Sequence, residues 1–200
     1  MRVLLVGTLP GAIDRTEEVL TAGGHEVVHC RDDHEGTFPC TALTDRGSCP
    51  FEASRVDVVV TARDRAWPRP SPLEDGAICG IHRFVPLVVH GTTALEPFDR
   101  WAVAETTTED ELLEAVEHAA GAPLPEHGTV ATRTMRDLLA GHGVSAEGSA
   151  VEVRRSGGRL VVTLALTPEA EPHAPAITVK TLTALRTLDP YADGIDVARL

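Results

Sequence analysis

The sequence predicts an α/β fold in which a doubly wound, parallel sheet of five strands is followed by a smaller α+β domain. Two observations support this prediction. In the first half of the chain, short apolar runs alternate with segments of helical periodicity, which is typical of strands joined by crossover helices. The second half begins with a helix and contains two alternating strands around a tight turn, which indicates a separate small domain.

The sheet of the first half is predicted from five apolar runs. They cover residues 3–6, 25–29, 56–60, 85–89 and 101–104. The first run, Val3-Leu4-Leu5-Val6, is apolar at every position, which is expected of a strand buried on both faces of a parallel sheet. The spacing of Ile13 and Leu20 predicts a helix after this strand. The capping-box spacing of Thr108 and Glu111 predicts the last helix of this half.

Two connections of the first half differ from an ordinary crossover helix. Residues 31–55 are predicted to form a loop, because glycines and prolines interrupt every helical period. This loop contains Cys40 and Cys49. The connection after the third strand begins with a stiff, proline-rich stretch. It continues into a predicted helix over residues 76–83, which carries Cys79.

The chain is predicted to contain two domains and a short linker. Residues 1–121 form the α/β domain, and residues 122–128 are predicted to be an extended linker because they contain two prolines. Residues 129–200 are predicted to form a small α-β-β-α-β domain, with a hairpin turn at Ser156-Gly157-Gly158. This element order indicates a ferredoxin-like sandwich.

Negative charge is concentrated in the first part of the chain. Residues 1–128 carry ten arginines against 22 acidic residues, whereas residues 129–200 are balanced. A large acidic field repels phosphate backbones, so the N-terminal domain is not expected to bind nucleic acid. No apolar run approaches the ~20 residues of a membrane helix. We therefore expect a cytoplasmic protein whose cysteines stay reduced, and no membrane partner.

The strand order and the segment Val88-Val89-His90-Gly91-Thr92 resemble the receiver domain of response regulators, or the wider flavodoxin-like class. Thr92 lies near the position where receivers carry a conserved hydroxyl. Receivers also place paired acids after the first strand, a phospho-acceptor aspartate at the end of the third strand and a lysine after the fifth. This chain has Gly7-Thr8, Thr61-Ala62 and Glu105-Thr106 there. The resemblance therefore implies a pseudo-receiver that binds no magnesium and forms no acyl phosphate.

The cysteines carry the clearest prediction of a functional site. Four of them fall in segments that follow predicted strands, namely Cys30, Cys40, Cys49 and Cys79. The loops that follow parallel strands emerge at one edge of the sheet, where ligands bind. The four thiols are therefore predicted to meet at the carboxyl-terminal edge and to bind a metal.

The spacing of these cysteines favours an iron–sulfur cluster of the [4Fe-4S] type over a single zinc ion. Structural zinc sites use close pairs such as Cys-x-x-Cys, and the chain has none. In a cubane cluster each thiolate binds its own iron, so separated ligands suit it better, and Cys49-Pro50 resembles the Cys-Pro of some ferredoxin motifs. Zinc stays the alternative metal, and His82 and His34 are weaker candidate ligands. An unliganded role also stays open, because free cysteine is often buried as a small apolar residue.

Three functions are compatible with such a site. The first is a regulatory or redox-sensing protein, without a catalytic role, whose cluster controls the binding of a protein partner. Arg63, Arg65 and Arg69, with Trp67, form a candidate partner surface, because arginine and tryptophan are enriched in interface hot spots. The second is an electron-transfer protein or an enzyme that uses the same cluster. The third is a structural zinc module whose C-terminal domain forms a homodimer through its sheet.

Overall fold

The computed structural model describes residues 1–30, 40, 42, 49–53, 55–66, 68–91, 97–156 and 158–200. The chain divides into two compact units, Met1–Ala120 and Gly121–Leu200, which are described separately. His34, Trp67, Thr92 and most of the predicted loop at 31–55 lie outside the described residues, so the predictions made for them stay predictions.

The N-terminal unit is built on a five-stranded parallel sheet. Its strands are β1 (Arg2–Gly7), β2 (Glu26–Val28), β3 (Val58–Arg63), β4 (Leu87–Gly91) and β5 (Ala102–Thr106). They lie in the order β2-β1-β3-β4-β5, and every neighbouring pair is parallel. This order is that of flavodoxin-like sheets. The predicted class, an α/β fold with a parallel sheet of five strands, is confirmed.

Helices cover both faces of this sheet. They are α1 (Pro10–Ala22), α2 (Pro50–Ala53), α3 (Asp75–His82) and α4 (Glu109–Gly121). Helices α1 and α4 pack into one apolar core with strand residues such as Leu5 and Val60. Helix α3 packs into a second core with Leu4 and Val59, which belong to the opposite face. Because successive strand residues point to opposite faces, a sheet covered on both sides needs continuous apolar strands.

The helix α4 begins at the capping residues that the sequence predicts. The backbone N–H groups of Thr107 and Thr108 each donate to a carboxylate oxygen of Glu111 at 3.1 Å. In return, the N–H of Glu111 donates to the Thr108 hydroxyl at 3.4 Å. The hydrogen bonds from Thr107 and Thr108 lower the pKa of Glu111. The predicted capping box is confirmed, and it fixes the chain where it leaves β5.

The C-terminal unit packs two helices against one face of a three-stranded sheet. Its elements are α5 (Pro125–Gly141), β6 (Ala150–Ser156), β7 (Arg159–Ala165), α6 (Ala174–Leu188) and β8 (Gly194–Arg199). The predicted order of a helix, two strands, a helix and a strand is confirmed. Strands β6 and β7 are antiparallel, and β8 pairs in parallel with β7. The sheet order, in which β7 and β8 pair directly, does not establish a ferredoxin-like sandwich, so the sandwich stays a prediction.

The predicted linker over residues 122–128 is wrong in its second half. Helix α5 already begins at Pro125 and includes Gly128, which the sequence assigned to the linker. Proline is tolerated at the first position of a helix, because its missing N–H has no helical partner there. A proline therefore marked the start of a helix at this point and not an extended segment. Among the described residues, no helix is long and apolar enough to cross a bilayer.

Candidate functional site

Helix α3 carries one cysteine and lies beside a second. Cys79 lies on α3 itself and is exposed. Cys30, just beyond β2, is half-buried and packs against the core on the α3 side of the sheet. Its sulfur lies 2.9 Å from the place where a Cβ on Gly76 would stand. Only glycine at the first turn of α3 leaves room for this thiol, and Cys79 follows three residues later.

Cys49 is held close to α3 by the short helix α2. The carbonyl oxygen of Cys49 accepts hydrogen bonds from the N–H groups of Glu52 and Ala53, both at 2.8 Å. The Phe51 ring lies 3.6 Å from the Cβ position of Gly80, directly after Cys79 in α3. Phe51 therefore anchors α2 on the second half of α3, which brings Cys49 towards Cys79.

Arg83, which follows α3, reinforces this contact. Its guanidinium lies over the Phe51 ring, 5.4 Å from the centroid, and donates to the Phe51 carbonyl oxygen at 3.4 Å. A further ion pair joins Arg83 to Glu52 at 3.7 Å. Arg83 thus binds the backbone, ring and carboxylate of α2 at once.

The thiols interact electrostatically. Partial burial raises the pKa of Cys79, and the negative charges of Cys49, Cys40 and Asp75 raise it further. The positive charge of Arg83 opposes this effect. Cys49 and Cys40 therefore lie within electrostatic reach of Cys79, and a bound cation would relieve the repulsion that their thiolate forms exert on it.

The described side chains do not form a complete ligand group as they stand. Within these residues, no three His, Cys, Asp or Glu side chains are close enough together to hold a metal ion. His82, a weaker candidate ligand, is exposed at the end of α3. His29 lies 3.2 Å from a carboxylate oxygen of Glu17, so its ring is already engaged.

Cys79 lies at a different place from the one that the sequence predicts, whereas Cys30 follows the carboxyl-terminal end of β2. Gly80 lies against Val59, the second residue of β3, with 2.6 Å between the Val59 Cγ2 atom and a Cβ placed on Gly80. Cys79 therefore lies over the face of the sheet, beside the beginning of β3, and not at the carboxyl-terminal edge. The reason is that α3 runs back along the sheet, which carries its last turn away from that edge.

A buried ion pair precedes α3 and was missed in the sequence. Arg63 Nε and Nη2 donate to the two carboxylate oxygens of Glu74 at 2.7 and 2.8 Å, and both side chains are fully buried. The N–H of Ser71 also donates to Glu74 at 2.8 Å. The Arg63 guanidinium lies 5.6 Å from the centroid of the Phe98 ring. Glu74 is therefore fixed immediately before the first residue of α3.

The sequence suggested that Arg63 belongs to an exposed partner surface. In the structure Arg63 is buried, so this suggestion is wrong. Arg63 is the last residue of β3 and points into the core on the α3 side. A usable signal was present: Ser71 and Glu74 have capping-box spacing, and the structure forms this capping box. Pairing with Glu74 is what permits a buried guanidinium.

The carboxyl-terminal edge of the sheet carries a small cleft of about 200 Å³. Its polar lining includes Arg15, His90, Thr107 and Glu109. His90 Nδ1 lies 2.9 Å from the Thr106 hydroxyl, and burial lowers the pKa of His90, which favours the neutral form of its ring. The volume is below that of typical cofactor pockets. The cleft suits a small polar molecule better than a nucleotide or a flavin.

The C-terminal unit contains a buried charged cluster of its own. Asp189, which follows α6, lies 3.2 Å from His127 Nε2 and accepts a hydrogen bond from Arg155 Nη2. Burial alone raises the pKa of Asp189, but the hydrogen bond from His127 and the charge of Arg155 outweigh it, so the pKa is lowered. All three side chains are buried, so this cluster joins α5, β6 and the end of α6 and is shielded from ligands.

Comparison with known proteins does not assign the chain to a family. No protein-family model, curated protein or solved structure matches it significantly.

Proposed function

We propose that the N-terminal unit binds an iron–sulfur cluster of the [4Fe-4S] type beside α3 and acts as a regulatory or redox-sensing protein. One observation carries the proposal. Four cysteines from distant positions in the chain, at 30, 40, 49 and 79, lie on or beside this helix or interact electrostatically with Cys79. Cys30 approaches its first turn, Cys79 lies on it, and Cys49 and Cys40 lie within electrostatic reach of Cys79.

The electrostatics of the thiols support binding of a cationic centre. Thiolates that raise the pKa of a neighbouring thiol repel one another, and the nearest favourable charge is that of Arg83. Iron ions supply the missing positive charge and deprotonate the thiols on binding. Binding is therefore expected to release protons and to lock the segments that carry the cysteines.

The distribution of the four thiols favours a cluster over zinc. A zinc ion needs four sulfurs at about 2.3 Å from one point, which close pairs on a single turn supply best. Here Cys30 follows β2, Cys49 precedes α2 and Cys79 lies on α3, so each comes from a different element. Thiolates that bind separate irons at the corners of a cubane suit such an arrangement. Zinc is the alternative outcome of the test below.

The residues at the carboxyl-terminal edge of the sheet do not support regulation by phosphorylation. A receiver needs carboxylates after β1 and β3, but Thr8 and Thr61 are buried hydroxyls and Arg63 is held by Glu74. If the receiver-like fold is regulatory, it therefore responds to a signal other than phosphorylation. We propose that loss of the cluster frees α2 and the cysteine-bearing segment, and that a protein partner recognises this change.

The test is the metal content of protein that is purified without oxygen. Iron, acid-labile sulfide and zinc per chain are measured together with the visible absorption spectrum. Matched iron and sulfide, at about four each per chain with a brown colour, are expected for a [4Fe-4S] cluster. A colourless protein with one zinc per chain would identify a structural zinc site. Protein that binds neither metal after reconstitution would overturn the proposal.

Serine variants sharpen this test. Cys49→Ser and Cys79→Ser are expected to lose most of the iron and the absorption band, because each removes a thiolate ligand. Ile78→Ala is the matched control, since it changes an exposed side chain of the same helix but no candidate ligand. Circular dichroism of each variant checks that the sheet is retained. A Cys49→Ser, Cys79→Ser double variant with a full complement of iron would contradict the ligand assignment.

A further inference from the structure

We propose that Cys49 and Cys79 form a reversible disulfide when the metal-free protein meets a peroxide. The inference rests on the proposed function in one respect, because it describes the same site after the cluster has been lost. It adds an oxidative modification with a defined pair of thiols. The site would then have three states: cluster-bound, reduced and disulfide-bonded.

The contact between α2 and α3 selects this pair. The Phe51 ring lies 3.6 Å from the Cβ position of Gly80, and Arg83 clamps Phe51 from the end of α3. Cys49 precedes Phe51 by two residues, and Cys79 directly precedes Gly80. Both cysteines are therefore attached to segments that already touch each other. A disulfide needs Cα atoms within about 7 Å, which such a contact favours.

The surroundings of the thiols also separate this pair from Cys30. Cys79 is exposed, and Cys49 is half-buried to a similar degree as Cys30, so the difference between Cys49 and Cys30 lies in what they pack against. Cys30 instead packs with the apolar core that lies between β1 and α3. Its sulfur lies beside Gly76, one turn before Cys79. Cys30 is thus held on the core side of the helix, and oxidation is expected to bypass it.

The reaction balances with hydrogen peroxide as the oxidant. The thiolate of one of the two cysteines attacks one peroxide oxygen, which gives a sulfenic acid and releases hydroxide. The thiolate of the other cysteine then attacks the sulfur of the sulfenic acid, the S–S bond forms and the sulfenic oxygen leaves as hydroxide. With the two thiol protons counted, two thiols and one peroxide give one disulfide and two waters. The thiols lose two electrons, which peroxide accepts.

Tryptic mapping of the full chain tests the pairing directly, because each cysteine falls in a different peptide. The peptides are 16–31, 32–46, 47–55 and 66–83. Metal-free, reduced protein is treated with hydrogen peroxide, its remaining thiols are alkylated, and it is digested without reductant. We expect peptide 47–55 to be linked to peptide 66–83, with two thiols lost per chain, and both to return after dithiothreitol.

Variants and metal analysis keep the outcomes distinct. Cys30→Ser is the matched control and is expected to form the same cross-link, whereas Cys79→Ser is expected to lose it. A dominant cross-link to peptide 16–31 or 32–46, or loss of no thiols, would overturn the inference. A cross-link in a protein that never binds iron would refute the proposed function alone. A cluster protein that forms no cross-link after iron removal would refute the inference alone.

Discussion

The buried ion pair of Arg63 and Glu74 is expected to stabilise the start of α3, the helix beside which the candidate site lies. Replacing Arg63 by methionine keeps an unbranched apolar stem beside Phe98 but removes both hydrogen bonds to the Glu74 carboxylate. Glu74 then retains the N–H of Ser71 as a donor. A fully buried carboxylate loses its counter-ion at the residue that precedes α3.

Removal of one partner from a buried ion pair costs about 3–5 kcal/mol, because the remaining charge stays desolvated. We expect Arg63→Met to lower the free energy of unfolding of the N-terminal unit by this amount. Glu74→Gln is expected to be destabilising too, since it leaves the guanidinium without a carboxylate. The double variant has no bare charge, so its loss is expected to be smaller than the sum of the two single losses by 1 kcal/mol or more.

Tryptophan fluorescence during urea unfolding is a suitable assay. Both tryptophans of the chain, Trp67 and Trp101, belong to the N-terminal unit, so the signal reports on that unit alone. If Arg63→Met is too unstable to purify, the milder Glu74→Gln gives the same comparison by its shift in midpoint. A loss below about 1 kcal/mol for Arg63→Met, or strict additivity in the double variant, would refute the reasoning.

Four further predictions concern single residues. Asp189→Asn is expected to cost the C-terminal unit about 3–5 kcal/mol at pH 7, seen by hydrogen exchange. The pKa of Asp189 is lowered in the folded protein, so the ionised carboxylate stabilises the fold at pH values above the ordinary aspartate pKa of about 3.9. This stabilisation is lost as the pH falls through the pKa of the folded state. Asp189→Asn should therefore be destabilised less by acid than the wild type. Gly91→Ala is expected to cost at least about 1–3 kcal/mol by urea unfolding, since φ is +104° and a Cβ would overlap the carbonyl oxygen of Arg63. Gly128→Ala, in open space within α5, should instead stabilise the protein by about 0.5–1 kcal/mol, and equal effects of the two alanines would contradict the structure. Burial lowers the pKa of His90, so the midpoint of its NMR titration is expected below the ordinary value of about 6.5. Because protonation of His90 opposes folding, the free energy of unfolding of the N-terminal unit is expected to fall as the pH drops below about 6.5.

The sheet of the N-terminal unit could be predicted because strands that are buried on both faces are apolar at successive positions of the sequence. Val58-Val59-Val60 has no polar position to place on a solvent face, so only a strand covered by helices accommodates it. The same logic located β1 and β4. The start of α5 could not be predicted in this way. Pro125 is compatible both with an extended linker and with the first turn of a helix, and only the packing of α5 decides between them.

The buried arginine shows a second limit of sequence patterns. Charged residues are rarely fully buried, so Arg63 in a proline-rich neighbourhood was assigned to the surface. Its partner Glu74 lies eleven residues away on the far side of a loop, where no periodicity connects the two. The capping-box spacing of Ser71 and Glu74 indicated a helix start. That Glu74 would also face a buried cation depends on the path of the intervening loop.

The site itself depends on a pair of glycines more than on the loops that carry its cysteines. Gly76 and Gly80 are four residues apart, on the same face of α3, and each lies within van der Waals contact of a strand side chain, Val6 or Val59. A larger residue at either position would lift α3 away from the sheet and close the space that the Cys30 sulfur uses beside Gly76. Close approach of α3 therefore carries its exposed face, with Cys79, to within reach of the segments that hold the other thiols. The rule that ligands bind at the edge of a parallel sheet applies to loops; Cys79 lies on a helix that packs on the face of the sheet, which explains why it lies away from that edge.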